Sequence, residues 1–172
     1  IIYFYHLHPI YMQAYQIRPK DSIIISKGQY HFEIRYAPPW FYPEAMKMDY
    51  DILLMKTITL SRDWMEVVVN KQTNQTYWIS REDAEFKAWP MFLLNIFSIS
   101  LINPEKNPLL FKPHKDASIV ATTPPRFELQ PLAIQEDWMM VSTIGLADRI
   151  MPTAWIRWRN KDSLLIRYSL LN

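Results

Sequence analysis

The chain has 172 residues with a formal net charge of +2, 49% apolar and 15% aromatic residues, and no cysteine. A disordered chain carries too few apolar residues to form a core, so this composition indicates one folded domain or two small ones. The lack of cysteine excludes thiol catalysis, disulfides and zinc–thiolate sites. The slight excess of positive charge predicts neither nucleic-acid nor acidic-membrane binding, and no apolar run reaches the length of a membrane-spanning helix.

In the N-terminal extension, residues 1–29, apolar and polar residues alternate in places. This pattern predicts one or two strands added to the first half, or alternatively a mobile arm. Because the chain begins with Ile1 rather than methionine, we expect that a secretory signal has been removed or that the sequence has been trimmed. His6 and His8 would lie on one face of a strand, as in some metal sites, but the sequence offers no third ligand. We therefore predict no metal, no cofactor and no catalytic residue.

Short runs of β-branched and aromatic residues between turn signals predict a mainly β protein. The chain contains two glycines and thirteen prolines, so the glycine-rich loops that bind phosphate are excluded. In the first half, the predicted strands are residues 22–26, 31–36, 51–60, 63–70 and 75–80. In the second half, they are residues 107–113, 127–135, 137–143, 153–159 and 163–170.

The residue pattern of 83–106 predicts a short helical linker between the two halves. Ser80 and Asp83 have the spacing of a capping box, and apolar residues follow them at helical spacing. These apolar residues are Phe86, Trp89, Leu93, Ile96 and Phe97. Pro90 should kink or split the helix because it lacks a backbone N–H group. An apolar linker is unfavourable in water, so we expect it to pack against one or both halves.

The stretch that begins at Asp63 recurs at Asp137 with the same order of apolar runs. Aligning these two residues places Trp78, after a turn three residues longer in the second half, opposite Trp155. The offset of 74 residues exceeds the period of a solenoid repeat and predicts two copies of a small β-barrel. An aspartate at the entry to a strand commonly bonds local backbone. We expect that role for both aspartates, with a functional role as the alternative.

Three motifs of the chain resemble those of bacterial SH3 (SH3b) domains. They are EIRYAPP at residues 33–39, an Asp-Trp strand rich in valine, and a later strand with a tryptophan before an apolar residue. The resemblance covers residues 30–82 as a first barrel and 107–172 as a second, with Tyr77 and Ala154 where the family commonly has glycine. It implies two SH3-like barrels in an exported bacterial protein of the periplasm or cell envelope, and binding of peptidoglycan or peptides.

SH3-like barrels bind ligands in grooves lined by aromatic rings, and two stretches of this chain qualify. The first is the proline-rich loop of residues 36–45, which cannot be the interior of a regular strand. Its candidate ligand-binding residues are Tyr36, Trp40, Phe41 and Tyr42.

The second candidate stretch is the strand of residues 155–159. Strand alternation places Ile156 and Trp158 on one face and Trp155, Arg157 and Arg159 on the other. If the first two are core residues, the other three form an exposed aromatic and cationic strip suited to a carboxylate. The alternative is that the motif tryptophans are mostly core and hinge residues.

The sequence thus predicts a non-catalytic binding module of the bacterial cell envelope that recognises a peptidoglycan-derived peptide or glycan, or a protein partner. The alternative is a structural or inhibitory protein–protein interaction protein without cell-wall binding. A groove would favour the first function, and a large flat apolar patch would favour the second. An enzyme would need a pocket that gathers a histidine with a carboxylate or a serine.

Overall fold

The computed structural model describes residues 1–6, 8, 18–121, 128–143 and 153–171. Most of its regular structure is β-strand, which confirms the predicted mainly β class. The chain divides into two compact units, Ile1–Phe86 and Lys87–Asn172, each with its own core. The two are described below as the first unit and the second unit.

The first unit contains eight strands in antiparallel sheets among its described residues. They are β1 (Ile2–Phe4), β2 (Asp21–Lys27), β3 (Phe32–Tyr36), β4 (Ala45–Lys47), β5 (Ile52–Leu54), β6 (Lys56–Leu60), β7 (Trp64–Asn70) and β8 (Gln75–Ser80). The strand orders are β1-β2-β3, β4-β5 and β6-β7-β8. Two hydrogen bonds between Tyr5 and Trp78, of 2.9 and 2.8 Å, join the end of β1 to β8. The N-terminal extension therefore supplies two strands of this unit.

The core of the first unit lies on one face of β1, β2, β7 and β8. Alternation along β7 turns Met65, Val67 and Val69 inward, where they meet Phe4 and Tyr77. Fully burying one such apolar side chain contributes about 1.5–3 kcal/mol, so these rows hold the sheets together.

The second unit contains one helix and nine strands among its described residues. They are α1 (Trp89–Leu93), β9 (Ser98–Leu101), β10 (Leu109–Leu110), β11 (Ile119–Ala121), β12 (Leu129–Gln135), β13 (Trp138–Thr143), β14 (Ala154–Arg157), β15 (Arg159–Asn160), β16 (Ser163–Leu164) and β17 (Ile166–Ser169). Seven strands form a sheet in the order β11-β10-β14-β13-β12-β9-β17, and β15 pairs with β16. The unit therefore consists of one large sheet and a short hairpin.

Trp158 is the largest fully buried side chain of the second core. Its indole Nε1–H donates a 2.9 Å hydrogen bond to the carbonyl oxygen of Glu136, which satisfies the ring's one polar group. Ile156 and Met139 are also fully buried beside it. Inward alternation along β13 and β14 thus builds this core.

The segment predicted as a helical linker, residues 83–106, is only partly helical. Helix α1 has five residues and carries Pro90 in its first turn, and the chain then enters β9, which pairs with β12 and β17. Ile99 and Leu101 are buried in the sheet. The burial of this Ser-Ile-Ser-Leu stretch between two strands outweighs the helical spacing of its apolar residues.

The two units contain matching three-stranded meanders, β6-β7-β8 and β12-β13-β14. Glu66 pairs with Trp78 in the first, and Met140, at the same position after its own Asp-Trp pair, pairs with Trp155 in the second. The neighbour on the other side of each tryptophan also matches. Trp78 pairs with Tyr5, just after β1, and Trp155 pairs with Leu110 of β10. The tryptophans aligned by sequence therefore occupy the same register positions.

Both meanders are also interrupted by a β-bulge at the same place. The register of β6 on β7 shifts between Thr57 and Thr59, and that of β12 on β13 shifts between Pro131 and Ala133. The extra residue is Ile58 in one unit and Leu132 in the other, and both are exposed. A bulge increases the local twist of a strand, so both meanders are bent at the same point.

Candidate ligand-binding site

The outer face of β13 and β14 carries the candidate site of the second unit. Ile156 and Trp158 are fully buried, while Trp155 and Arg157 lie on the opposite face of β14 and are each partly exposed. The strand predicted through Arg159 ends at Arg157, and Arg159 belongs to β15, where it is partly exposed and its guanidinium lies 4.8 Å from the Trp158 ring centroid. The register pairs Trp138 with Arg157 on the same outer face. We call Trp138, Trp155, Arg157 and Arg159 the arginine strip.

A single carboxylate lies between the two arginines of the strip. Arg159 Nε donates a 2.6 Å hydrogen bond to Asp137 Oδ1, and Arg157 Nη2 lies 3.5 Å from Asp137 Oδ2. Both guanidinium groups remain about 40% exposed, and two positive charges face one negative charge. The side chain of Asp137 therefore holds the arginines, which differs from the local backbone role expected for it.

Two further residues position Arg157, and neither was predicted from sequence as part of the site. The Arg157 guanidinium lies 5.9 Å from the ring centroid of Trp138, within the range of a cation–π contact. Asn107, 8% exposed, donates to the Arg157 carbonyl at 2.7 Å and accepts from its N–H at 3.0 Å. Trp138 could have been found from sequence, because it belongs to the repeated Asp-Trp motif. Asn107 could not, because it lies 50 residues from its hydrogen-bond partner in the chain.

The aromatic residues of the loop at 36–45 do not share one surface. Phe41 is 9% exposed and belongs to the first core, and Trp40 packs against Phe4 and Tyr77 with ring centroids 5.4 and 5.0 Å apart. These two rings bury apolar area and help to hold the loop against the sheet. The structure therefore places Phe41 and much of Trp40 out of reach of a ligand.

Tyr36 and Tyr42 of the same loop are exposed. The Tyr36 hydroxyl donates a 3.0 Å hydrogen bond to Asp21, which raises the pKa of Tyr36 above its usual value. The ring of Tyr42 lies 5.0 Å from Lys71 Nζ, and its backbone bonds with Val69 and Lys71 at the end of β7. These two tyrosines belong to the first unit, and the arginine strip belongs to the second.

The first unit has its own pair of motif tryptophans on an outer sheet face, and the chain itself covers them. The ring of Tyr5 lies 5.2 Å from that of Trp64, and the ring of His8 lies 4.5 Å from that of Trp78. His8 Nε2 is 3.0 Å from Ser61 Oγ. This aromatic face is therefore occupied by residues of the N-terminal segment.

The register positions of the strip's arginines carry other residues in the first unit. Ser80 pairs with Trp64 as Arg157 pairs with Trp138, and Glu82 follows Ser80 at the spacing of Arg159. The two equivalent positions therefore carry a serine and a glutamate.

The histidines do not form a metal site within the residues described. His6 packs against Tyr77, which faces the core, and His8 against Trp78, which faces outward. The two imidazoles thus lie beside opposite faces of β8, unlike the shared face expected from the sequence. No group of three or more metal-ligating side chains occurs in this described part of the chain.

Comparisons with protein-family models, curated proteins and solved structures found no match to this chain. Among the described helices, none has the length and apolar character needed to cross a membrane.

Proposed function

We propose that the protein is a non-catalytic binding module of the bacterial cell envelope whose arginine strip recognises a carboxylate-bearing, peptidoglycan-derived peptide. The observation that carries this proposal is the pair of partly exposed guanidinium groups, Arg157 and Arg159, that share the carboxylate of Asp137. An export signal and a location in the periplasm or cell envelope are part of the same proposal.

The chemistry of the strip suits a peptide carboxylate. Each guanidinium group has five N–H donors in a rigid planar fork, and the contacts to Asp137 engage one nitrogen of each arginine. The remaining donors can bind a ligand carboxylate, and the positive charge not neutralised by Asp137 favours an anion. Trp155 offers apolar area two residues before Arg157 for the body of the ligand.

The order of strand pairing supports an SH3-like barrel in the second unit. β14 leads through Trp158 into β15, β15 pairs with β16, and β16 leads into β17. β17 pairs with β9, β9 with β12, β12 with β13 and β13 with β14. β17 lies at one edge of the seven-stranded sheet, and β15 and β16 pair with each other. We propose that the tandem SH3b assignment is supported by this strand order together with the matching meanders.

Retention of the protein on purified peptidoglycan tests the proposed function. We expect the parent protein to bind and the double variant Arg157→Gln/Arg159→Gln to lose at least about tenfold in affinity, because each charge-assisted hydrogen bond contributes roughly 1.5–3 kcal/mol. Arg167→Gln is the matched control, since Arg167 is an exposed arginine of the same unit. Failure of the parent protein to bind would contradict wall binding.

A protein partner is the second candidate, and one surface of the second unit favours it. β11 is an edge strand among the described residues, and Phe111 and Ile119 are 66% and 59% exposed beside it. Edge strands with apolar side chains pair readily with strands of other proteins. Cross-linking in a periplasmic extract that Phe111→Ser abolishes, with peptidoglycan retention unaffected, would support this function instead.

A further inference from the structure

A pocket in the first unit forms a site that is separate from the arginine strip. Lys56, Val68 and Thr76 lie side by side on the outer faces of β6, β7 and β8, where the register pairs them directly. They line a pocket of about 430 Å³, within the size range of small-molecule sites. Val68 forms an apolar floor and is only 6% exposed, and Ile58 of the bulge forms an apolar wall.

The rim of the pocket is fixed by hydrogen bonds. Asn70 Oδ1 accepts from the backbone N–H groups of Gln72 and Thr73 at 2.9 and 3.1 Å, and Asn70 Nδ2 donates to the Trp40 carbonyl at 2.8 Å. The turn that carries Lys71 is therefore tied both to itself and to the loop at 36–45. A site built on such a fixed rim loses little conformational entropy when a ligand binds.

Lys71 is the first of two cations at this pocket. Its Nζ donates a 2.8 Å hydrogen bond to the Glu44 carbonyl and lies 5.0 Å from the Tyr42 ring. These contacts hold the ammonium group at the rim, and an ammonium has three N–H donors. The exposed Tyr42 predicted by sequence as a ligand contact thus positions this lysine.

Lys56 is the second cation, and its ammonium has no hydrogen-bond or ion-pair partner among the described residues. Glu44 also lines the pocket and the Glu66 carboxylate borders it beside Thr76, so the two ammonium groups face two acidic side chains. Thr76 donates its hydroxyl hydrogen to Glu66 at 2.9 Å, which leaves the Thr76 oxygen as an acceptor toward the pocket. The Glu66 carboxylate already accepts from two threonine hydroxyls, so the groups available to bind a ligand carboxylate above the apolar floor are the ammonium N–H donors of Lys56 and Lys71.

We propose that this pocket binds a small carboxylate-bearing molecule, with its carboxylate between Lys56 and Lys71 and its apolar side on Val68 and Ile58. The volume suits a single sugar acid or the C-terminal residue of a peptide rather than a long chain. The site does not depend on the proposed function, because the arginine strip belongs to the other unit.

NMR titration of the full chain tests this site with two carboxylates and their neutral counterparts. The pairs are glucuronate with glucose and N-acetylalanine with its amide, and the backbone signals of β6, β7 and β8 report binding. We expect at least one acid to bind about tenfold more tightly than its neutral counterpart. The acid that binds identifies a sugar acid or a peptide end as the source, and equal affinity of acid and neutral compound in both pairs would overturn the proposal.

Substitutions at Lys56 provide the second part of the test. Lys56→Gln should weaken binding of the preferred acid about tenfold, and Lys56→Glu should abolish it. Lys27→Gln, at an exposed lysine of the same unit, is the matched control and should bind like the parent. Unchanged affinity in both Lys56 variants would overturn the proposal, even if Arg157→Gln/Arg159→Gln still impaired retention on peptidoglycan.

Discussion

Single residues in the turns of this protein adopt a backbone conformation that usually favours glycine. Asp51, Asn74, Glu136 and Lys161 have φ angles of 52–56°, in the left-handed region. The two glycines of the chain, Gly28 and Gly145, occur at other positions. Gly28 instead permits a close approach, since a Cβ there would lie 2.8 Å from the His31 carbonyl oxygen. The chain therefore carries backbone strain in these four turns.

Replacing Glu136 by glycine should stabilise the second unit. The left-handed conformation costs a non-glycine residue about 1–2 kcal/mol, part of which is offset by the greater freedom of glycine in the unfolded chain. We expect Glu136→Gly to raise the free energy of unfolding by about 0.5–1 kcal/mol in a urea titration. The Glu136 carbonyl that accepts from Trp158 remains in the variant. Glu105→Gly, outside this conformation, is the control and should not stabilise.

The carboxyl group of Asp83 should oppose folding at neutral pH. Burial, followed by the nearby charge of Glu82, raises the pKa of Asp83 above its usual value. A raised folded-state pKa means that the fold disfavours the charged form, and this penalty disappears as the pH falls below the unfolded pKa of about 3.9.

Asp83→Asn should therefore raise the melting temperature at pH 7 and have little effect at about pH 3. The gain should be less than about 1 kcal/mol, because the side chain is substantially exposed and solvent screens its charge. Glu85→Gln serves as a control that removes a charge on the same segment. An equal gain at both pH values would contradict the assignment to this carboxyl group.

At the scale of elements, Asn107 joins the start of β10 to β14, the strand that carries Arg157. Its two hydrogen bonds satisfy the N–H and the carbonyl of Arg157, and Asn107 itself is buried. Asn107→Ala leaves both backbone groups without these partners and should cost about 1–3 kcal/mol of stability. It should also weaken ligand binding at the strip, as measured by retention on peptidoglycan. Asn103→Ala, at an exposed asparagine, should leave stability and binding unchanged.

The strands were predictable from sequence where every second residue is apolar and buried. The inward rows of β7 and β14 are visible as Met65, Val67 and Val69 and as Ala154 and Ile156. The bulges were not predictable, because the exposed Ile58 and Leu132 look like core residues in a strand pattern. The helical spacing around α1 was misleading, since β9 gains more from pairing on both sides than from continuing the helix.

The candidate site was predictable only in part. Alternation separated Arg157 and Arg159 from the core, but Asp137 and Asn107 reach them through the tertiary fold rather than through local sequence. The loop of residues 36–45 does not present all of its aromatic rings to a ligand, because burying Phe41 in the core stabilises the fold more than exposing it to solvent would.

At the scale of the whole molecule, each unit contains a complete core. The buried cluster around Val67 and Tyr77 belongs entirely to the first unit, and that around Trp158 entirely to the second. We expect residues 1–86 and 87–172, expressed separately, each to give a dispersed NMR spectrum typical of a folded domain. The full chain is the control, and the fold division would be contradicted if both halves gave spectra of unfolded chains.

The bulge shared by the two meanders gives their outer faces the same bend at the same position. Since the main chain bends at Ile58 as it does at Leu132, Ser80 presents its side chain at the register position of Arg157. An arginine placed at Ser80 would thus carry one of the strip's two cations to the other meander, with the aromatic cover from Tyr5 and His8 as the remaining obstacle.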